Sequence, residues 1–304
     1  MTVGFRDVTL RDGLQLAGGS LPTERRIALV RELFELGVEH VEAGSMARPD
    51  LVPSMADTLD VIAGLPEEHR ERVWVWTATP RHVERAAAAG VRRFQYCFSA
   101  SDSHNEANIG RTTEASIAAM PDAIAAARAV GGSVQLCVAT SFTCPFEGEV
   151  GIGRFSSILE DPRTEGASDV VVCDTLGQAH PAEVERRVAL ARATRPELGI
   201  VYHGHDTWGL GVANAAAAVA GGADVIDGAL GGLGGCPFAP GASGNTATED
   251  LVFAFRPAWA TPESFGALVR LGEEITGTLG EPNRSRARDG ARSRARAFPW
   301  VLEG

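Results

Sequence analysis

The sequence contains no lysine, and all 28 of its basic residues are arginine. Schiff-base catalysis and a lysine-anchored pyridoxal phosphate both require a lysine amine, so neither chemistry is available to this chain. A phosphate-binding loop of the lysine-containing type is excluded for the same reason. Any chemistry on a carbon–carbon bond must therefore use a metal ion or an oxyanion site.

The sequence also lacks long apolar runs, an excess of basic charge and paired cysteines, which argues against a membrane protein, a nucleic-acid-binding protein and a disulfide-linked protein. No segment approaches the ~20 apolar residues of a membrane span. The net charge of −11 argues against a nucleic-acid surface. The cysteines, at 97, 137, 144, 173 and 236, are odd in number and form no CxxC pair, so we expect reduced thiols and no disulfide framework. A strand-like run begins at Val3, which leaves no room for a targeting peptide and predicts a cytoplasmic protein.

Strand-like and helix-like segments alternate along the chain. We predict strands over residues 3–10, 38–43, 73–77, 91–98, 133–139, 169–173, 198–201 and 224–227, the seventh leading into His203. Helices are predicted over 22–36, 50–63, 80–89, 113–129, 150–166, 181–193, 209–220, 246–255 and 262–278. Residues 99–111 are predicted to form a polar loop, and residues 11–13 a turn.

Eight strand–helix units in about 300 residues predict a single (β/α)₈ TIM barrel of class α/β, with an additional C-terminal helix. The barrel is expected over residues 1–280. Residues 281–304 form an arginine-rich tail, which we expect to be solvated or disordered, with binding of a nucleotide phosphate as the alternative. In a barrel of this type the polar residues that follow the strands meet at one opening.

The seventh strand carries the pair His203 and His205. Side chains two residues apart leave a strand on the same face, so the two imidazoles lie side by side and suit a divalent metal. The alternative is a pair of half-buried histidines with ordinary hydrogen bonds. Asp12 and Asn245 offer further oxygen ligands, although Asp12 could be a turn residue and Asn245 a helix N-cap. This nitrogen and oxygen set predicts Mg²⁺ or Mn²⁺.

Further reactive side chains follow other strands. Arg11 could stabilise an enolate or carboxylate oxygen, or instead pair with Glu42 or Asp174 to hold the barrel floor together. Cys236 lies in a glycine-rich loop over 228–244 and could close over a substrate as a proton donor. Its alternative is an incidental cysteine in a flexible loop. The cysteines within apolar strands, at 97, 137 and 173, are expected to be small core residues.

Several motifs resemble those of one family. Val8-Thr9-Leu10-Arg11-Asp12-Gly13-Leu14-Gln15 is similar to the opening signature of the DRE-TIM metallolyases. The later motifs resemble the branch of 3-hydroxy-3-methylglutaryl-CoA (HMG-CoA) lyase; they are Val41-Glu42-Ala43, Cys144-Pro145-Phe146-Glu147-Gly148, Asp174-Thr175-Leu176-Gly177, the stretch 203–209, Gly234-Gly235-Cys236-Pro237-Phe238-Ala239 and Gly241-Ala242-Ser243-Gly244-Asn245. The similarity covers residues 3–280 in collinear order.

The resemblance implies a function and roles for particular residues. The metal ligands are then Asp12, His203, His205 and Asn245. Catalytic roles fall to Arg11 at the enolate, Cys236 on the mobile loop, His203, and the acids Glu42 and Asp174; the substrate contacts are Gln15, Asn108 and Thr175. The implied reaction is a retro-Claisen cleavage of a 3-hydroxyacyl-CoA, first of all HMG-CoA, to acetyl-CoA and acetoacetate.

Three alternatives stand beside this interpretation. One is a lyase for another branched 3-hydroxyacyl-CoA. A second is a synthase that condenses acetyl-CoA with a 2-oxo acid; the Cys236 loop and the lack of an appended regulatory domain count against it. The third is a barrel that binds metal without turnover. The family also leads us to expect a homodimer and a small-molecule acyl-CoA substrate. The charge and the lack of a long apolar run lead us to expect no nucleic-acid partner and no membrane.

Overall fold

The computed structural model describes residues 3–235, 238 and 243–302. Within these residues, eight parallel strands form the centre of the molecule. They are β1 (Gly4–Asp7), β2 (His40–Ser45), β3 (Val73–Thr77), β4 (Arg93–Ser99), β5 (Ser133–Ala139), β6 (Asp169–Asp174), β7 (Gly199–Gly204) and β8 (Val225–Gly228). All eight predicted strands are present, with ends that differ by a few residues.

The strands close into a barrel because β1 pairs with both β2 and β8. Around the barrel the order is β1, β8, β7, β6, β5, β4, β3 and β2, and every pair is parallel. The carboxyl ends of all eight strands therefore meet at one rim. The TIM-barrel prediction is confirmed.

Helices surround the barrel. They are α1 (Thr23–Leu36), α2 (Thr58–Ala63), α3 (Glu67–Arg70), α4 (Pro80–Ala88), α5 (Asp102–Ile109), α6 (Thr113–Ala118), α7 (Met120–Arg128), α8 (Ile152–Leu159), α9 (Pro181–Thr194), α10 (Gly211–Ala220), α11 (Thr248–Phe255), α12 (Pro262–Leu279) and α13 (Arg286–Ala291). Helix α12 is the predicted additional helix. None of the helices in the described part of the chain has the length and apolar character that crossing a bilayer demands.

Strand β6 shows how the barrel divides its side chains between two environments. Val170 and Val172 belong to the large core between the strands and the helices. Val171 belongs to a smaller cluster together with Cys97, Cys137 and Cys173. Because neighbouring side chains point to opposite faces of a strand, this second cluster lies inside the barrel.

The predicted polar loop over 99–111 is wrong, because helix α5 lies within it. The Ser101 side chain accepts a hydrogen bond from the His104 backbone N–H and caps the first turn. Gly110 ends the helix in the left-handed conformation, with φ of 69°. Both are ordinary helix boundary signals, and the polar composition between them concealed the helix.

Two further predictions are wrong in detail: the turn at residues 11–13 and the single helix over residues 113–129. The predicted turn at residues 11–13 is a π-helical turn, Thr9–Gly13, in which the Gly13 N–H donates to the Val8 carbonyl at 3.1 Å. The helix predicted over 113–129 is divided into α6 and α7, since Pro121 enters the first turn of α7. A π-helical turn is often found at functional sites.

The C-terminal segment is ordered and includes helix α13, so the predicted disordered end is wrong. The alternative of a solvated end is confirmed, because most of the arginines in this segment are exposed. Arg288 and Arg292 of this segment form ion pairs with Glu273 on α12, the first at 3.0 Å and the second at 2.5 Å. The Trp300 ring packs against Phe265, with centroids 5.1 Å apart. The arginines predicted to be in solvent therefore help to attach the segment to the barrel helices. The division into a barrel and a tail at residue 280 stays a prediction.

Candidate active site

The rim of the barrel brings together three of the predicted metal ligands. Asp12 follows β1, His203 lies in β7, and His205 follows β7. One ligand atom from each lies within 4.8 Å of the others, and all three side chains are buried. The His205 Nε2 atom is 3.4 Å from Asp12 Oδ1. The structure thus provides one carboxylate and two imidazoles at a single point.

Asn245 adjoins this group. Its Nδ2 donates to Asp12 Oδ1 and to the Leu233 carbonyl, each at 2.9 Å. Its Oδ1 is buried and has no hydrogen-bond partner among the described residues. An unpartnered amide oxygen beside a carboxylate and two imidazoles fits a divalent cation that accepts mixed oxygen and nitrogen ligands. Helix α11 begins after Ala247, so Asn245 is not its N-cap.

A second layer of side chains holds His203 in place. The His203 Nδ1 atom is 3.1 Å from Asp227 Oδ2, and both Asp227 oxygens accept hydrogen bonds from Arg6. Burial alone would raise the pKa of Asp227, but Arg6 and His203 hold it below its usual value. An ionised Asp227 fixes the proton on Nδ1 and leaves Nε2 for a ligand.

Arg11 lies between two acids at the pocket wall. Its Nε donates to Glu42 Oε2 at 2.7 Å and its Nη1 to Asp12 Oδ2 at 2.5 Å. Burial opposes its charge, yet Glu42 and Asp12 raise the pKa of Arg11 further above its usual value. Gln95 donates to the other Glu42 oxygen at 2.7 Å. Of the two acids considered as partners, Glu42 is therefore the one that pairs with Arg11.

The pKa of Asp12 is well below its usual range. Burial raises this pKa, but the Arg11 guanidinium and the two imidazoles of His205 and His203 outweigh that effect. The carboxyl group is thus an anion at neutral pH. An anionic oxygen is the form that a divalent cation requires of a carboxylate ligand.

These groups line a cavity of about 80 Å³ at the rim. The predicted site residues that line it are Arg11, Asp12, Gln15, Thr175, His203 and His205. Sequence reasoning did not identify Trp76, His104 and Ala139 as lining residues, and it assigned Cys97, Cys137 and Cys173 to the core. The volume is well below the roughly 300–1,000 Å³ of pockets that enclose a whole ligand. The cavity as it stands suits only the reacting end of a large substrate.

An aromatic side chain of the glycine-rich segment closes one side of this cavity. The Phe238 ring meets the His104 ring edge to face, with centroids 4.9 Å apart, and lies 5.9 Å from the Phe146 ring. Cys236, the predicted proton donor, lies outside the described residues. Phe238 thus brings the described part of this segment over the pocket.

Comparison with known proteins places this site in a family. Residues 2–272 match the family model described as HMGL-like. The sequence is 34% identical over 251 residues to hydroxymethylglutaryl-CoA lyase YngG of Bacillus subtilis, covering 83% of this chain and 84% of that protein. This chain belongs to the HMGL-like family. It is a lyase of the DRE-TIM metallolyase group.

Other HMGL-like proteins extend the comparison. An (R)-citramalyl-CoA lyase of Chloroflexus aurantiacus is 35% identical over 288 residues, which are 91% of this chain and 90% of that protein. The crystal structure of the Bacillus subtilis HMG-CoA lyase has a TM-score of 0.87 at 32% identity, covering 96% of this chain and 98% of that one. An Acinetobacter baumannii HMG-CoA lyase in complex with coenzyme A and 3-methylmalate has the same TM-score and identity, covering 97% and 96%.

Asp174 and Asn108, both predicted for the HMGL-like site, do not line the cavity. Both oxygens of Asp174 accept backbone N–H groups, from Gln178 and Ala179, each at 3.1 Å. Asn108 is an exposed residue of α5 and does not line the cavity. Cys144 is buried and accepts hydrogen bonds from the Phe146 and Glu147 N–H groups. The hydrogen bonds of Asp174 and Cys144 hold the backbone of the loops that follow β6 and β5.

Two residues at the site, Asp227 and His104, were missed because they stand inside segments that look structural. Asp227 lies near the end of the apolar strand β8. A charged residue at the rim end of a buried strand was the signal that could have identified it. His104 lies on α5 with only 3% of its surface exposed. Its Nδ1 is 2.5 Å from Ser99 Oγ, whereas its Nε2 is buried without a hydrogen-bond partner among the described residues.

Glu249 positions the start of the glycine-rich segment in this HMGL-like barrel. Both of its carboxyl oxygens accept the Gly231 N–H, at 3.0 and 2.9 Å. Gly231 has φ of 60°, in the left-handed region that favours glycine. Burial raises the pKa of Glu249 to about 8. The folded protein therefore keeps this carboxyl protonated at pH values where the unfolded chain has ionised it.

We expect this raised pKa to make stability depend on pH. The stabilisation is fully present below the unfolded pKa of about 4.5 and is lost as pH rises through the folded pKa of about 8. Between pH 5 and 8 the Glu249 contribution should fall by on the order of 3 kcal/mol. Glu249→Gln should flatten this part of the profile, measured as the free energy of unfolding by urea at several pH values. The exposed Glu106→Gln is the control, and an unchanged slope in Glu249→Gln would contradict the assignment.

Proposed function

We propose that this HMGL-like lyase cleaves a 3-hydroxyacyl-CoA in a reaction that depends on a divalent metal, with HMG-CoA as the first substrate and acetyl-CoA and acetoacetate as products. The observation that carries the proposal is the Asp12, His203 and His205 group beside the Arg11 guanidinium in one cavity. Relatives named HMG-CoA lyase at 32–34% identity over most of the chain support the same substrate.

The residues divide the work of a retro-Claisen cleavage. When bound, the metal supplies a Lewis acid for the substrate's oxygen atoms. Arg11 holds a fixed positive charge where the thioester enolate develops, and Glu42 and Asp12 keep that charge oriented. The proton of the substrate hydroxyl passes to water as the carbon–carbon bond breaks. Cys236 then protonates the enolate carbon and regains a proton from water, a role that rests on the family resemblance. For Glu42 and Asp174, a base role has little support, because both oxygens of each already accept hydrogen bonds.

The first experiment measures acetyl-CoA release from HMG-CoA with Mg²⁺ or Mn²⁺, for the unmodified protein and for Cys236→Ala. Metal-dependent turnover is expected, and loss of a general acid should lower kcat by about 100-fold or more. Cys144→Ser is the matched control, since its hydroxyl can still accept the two loop N–H groups. A folded, metal-loaded protein that releases no acetyl-CoA would reject HMG-CoA.

A second candidate substrate is (R)-citramalyl-CoA. The lyase of that name is as similar to this chain as the HMG-CoA lyases are. Its carboxylate is attached directly to the carbinol carbon, one methylene closer than in HMG-CoA, and its cleavage yields pyruvate in place of acetoacetate. Parallel assays of both products distinguish the two candidates. A higher kcat/KM for pyruvate formation would favour citramalyl-CoA.

His104 is proposed to donate a hydrogen bond to the acyl group. Burial lowers its pKa to about 4, so the ring is neutral at pH 7. Ser99 Oγ has no other side-chain partner among the described residues, and donation of its proton to Nδ1 places the remaining ring proton on Nε2. An unpaired buried N–H beside the substrate cavity suits a carbonyl or carboxylate oxygen.

We predict that His104→Leu lowers kcat/KM for the acyl-CoA by about 10- to 100-fold, as expected for one hydrogen bond to a charged acceptor. Metal affinity should be unchanged, because His104 lies on the helix after β4, whereas the ligands lie in β7 or follow β1, β7 and β8. Steady-state kinetics at saturating metal, with the exposed Ser103→Ala as control, provide the measurement. Unchanged kcat/KM would show that Nε2 donates nothing to the substrate.

Three finer points are also proposals: the metal follows from the mixed nitrogen and oxygen ligand set, the assembly from the family resemblance, and the location from the sequence. We propose Mg²⁺ or Mn²⁺ as the metal, a homodimer as the working assembly, and the cytoplasm as the location. Activity restored to metal-depleted protein by each cation in turn tests the first point. Light scattering on the purified protein tests the second, and cell fractionation tests the third.

A further inference from the structure

Three free cysteines lie on consecutive strands inside the barrel. Cys97 on β4 is the register partner of Cys137 on β5, and Cys173 follows on β6. All three line the same cavity as Arg11 and His203. The proposed lyase reaction gives none of these thiols a task. Their placement in the floor of a ligand pocket therefore calls for a separate explanation.

Two of the sulfur atoms are close enough to share one ion. Cys137 Sγ and Cys173 Sγ are 3.5 Å apart. A disulfide needs about 2.0 Å between sulfurs, so these thiols are in contact without being bonded. We propose that Cys137 and Cys173 form a two-thiol site for a thiophilic trivalent ion of the arsenite class. In a pyramidal ion the sulfur–ion–sulfur angle is near a right angle, so its two sulfur ligands lie in contact with each other, as Cys137 and Cys173 do. A linear two-coordinate ion places its two sulfur ligands on opposite sides, so they would have to lie further apart.

The number of available ligands favours a trivalent arsenical over a thiol-binding divalent metal such as Zn²⁺. A closed zinc site needs about four ligands. Within the described residues, the only group of three or more ligand atoms close enough to hold a metal is Asp12 with His203 and His205, and it contains no cysteine. A trivalent arsenical needs only two thiols and completes its coordination with its own hydroxyl group. The cysteine pair is thus suited to the arsenical.

The binding step leaves no charge buried in the floor. Arsenous acid condenses with two thiols, two arsenic–oxygen bonds are replaced by two arsenic–sulfur bonds, and the thiol protons leave in two molecules of water. No electron is transferred and no oxidant is needed. Burial raises the pKa of Cys137 well above its usual value, so reactions that need a buried thiolate are disfavoured. A neutral product suits the apolar surroundings of Ala139, Val171 and Val201.

The site would also affect turnover, and this part rests on the proposed function. Cys173 is the register partner of the proposed metal ligand His203 on the adjacent strand. An ion bound to its sulfur occupies the floor of a cavity of only about 80 Å³. Arsenite should therefore compete with the acyl-CoA. Binding itself is measured without substrate, so its outcome is independent of which acyl-CoA is cleaved.

The test titrates sodium arsenite into the full-length protein carrying Cys236→Ala, which removes the loop thiol. Calorimetry should show one equivalent bound, and arsenic X-ray absorption should show two sulfurs and one oxygen around the ion. Cys137→Ser and Cys173→Ser should each weaken binding at least tenfold. Cys144→Ser, a buried thiol outside the pair, should leave the affinity unchanged.

Several results would overturn the two-thiol site. Arsenite that binds Cys137→Ser or Cys173→Ser as tightly as the parent protein is one. Arsenic surrounded by oxygen alone is another, as is binding that requires an intact Cys236. Thermal unfolding of each variant checks its fold, and Cys137→Ala and Cys173→Ala replace a serine variant that fails to fold.

Discussion

His203→Asn should strongly weaken metal binding and reduce acetyl-CoA release by at least ~1,000-fold, which corresponds to about 4 kcal/mol of transition-state stabilisation. The reason is that His203 is one of three side chains whose ligand atoms lie within 4.8 Å of one another. Removing one of so few ligands leaves a carboxylate, one imidazole and the amide oxygen of Asn245, which together bind a divalent cation weakly. Calorimetric metal titration and turnover at saturating Mn²⁺ measure the two effects separately.

Asp227→Asn provides a graded test of the same site. Asp227 touches the ring of His203 at 3.1 Å and lies outside the ligand group itself. Loss of such a partner usually costs about 10- to 100-fold in metal affinity. A matched control is Asp224→Asn, three residues earlier on the way into β8. If His203→Asn kept its metal affinity, or if Asp227→Asn were more severe than His203→Asn, the assignment of His203 as a ligand would fail.

The fold was predictable because the chain repeats one pattern of local signals. Parallel strands that are buried on both faces need runs such as Val170-Val171-Val172, and such runs are visible without any structure. Helix ends were predictable where proline or glycine marks them, as at Pro80 and Gly37. Helix α5 was missed because its interior is polar, and its Ser101 and Gly110 boundaries were read as parts of a loop.

The site was predictable to the extent that barrel geometry alone determines it. Residues that directly follow parallel strands must meet at one rim, which is why Asp12 and the two histidines lie together. Hydrogen bonds between side chains inside the barrel join residues that are far apart in sequence. Arg6 donates to Gln135, 129 positions away, at 2.7 Å, and no local pattern encodes that contact. Cys137 is a buried core residue, as predicted. The face to which it points in a fully apolar strand is equally invisible, so its place beside the cavity was not predicted.

Arg11→Gln should lower kcat for HMG-CoA cleavage by at least about 100-fold, on the order of 2.7–4 kcal/mol, while KM changes little. Arg11 lines the cavity, and its Nε and Nη1 are held by Glu42 and Asp12. This arrangement fixes the charge before substrate arrives. A group that acts on an enolate contributes to the transition state more than to the bound substrate, so the loss should appear in kcat.

Arg11→Lys distinguishes positive charge from geometry. Lysine keeps the charge but cannot donate to Glu42 and Asp12 as a planar fork, so only a small part of the activity should return. Arg48→Gln is the control, because the side chain of Arg48 is 69% exposed. The kinetics must be measured at saturating metal, since Asp12 loses a partner in both Arg11 variants. If kcat of Arg11→Gln stayed within tenfold of the parent, Arg11 would be the structural partner of Glu42 alone, and the enolate would need another source of positive charge.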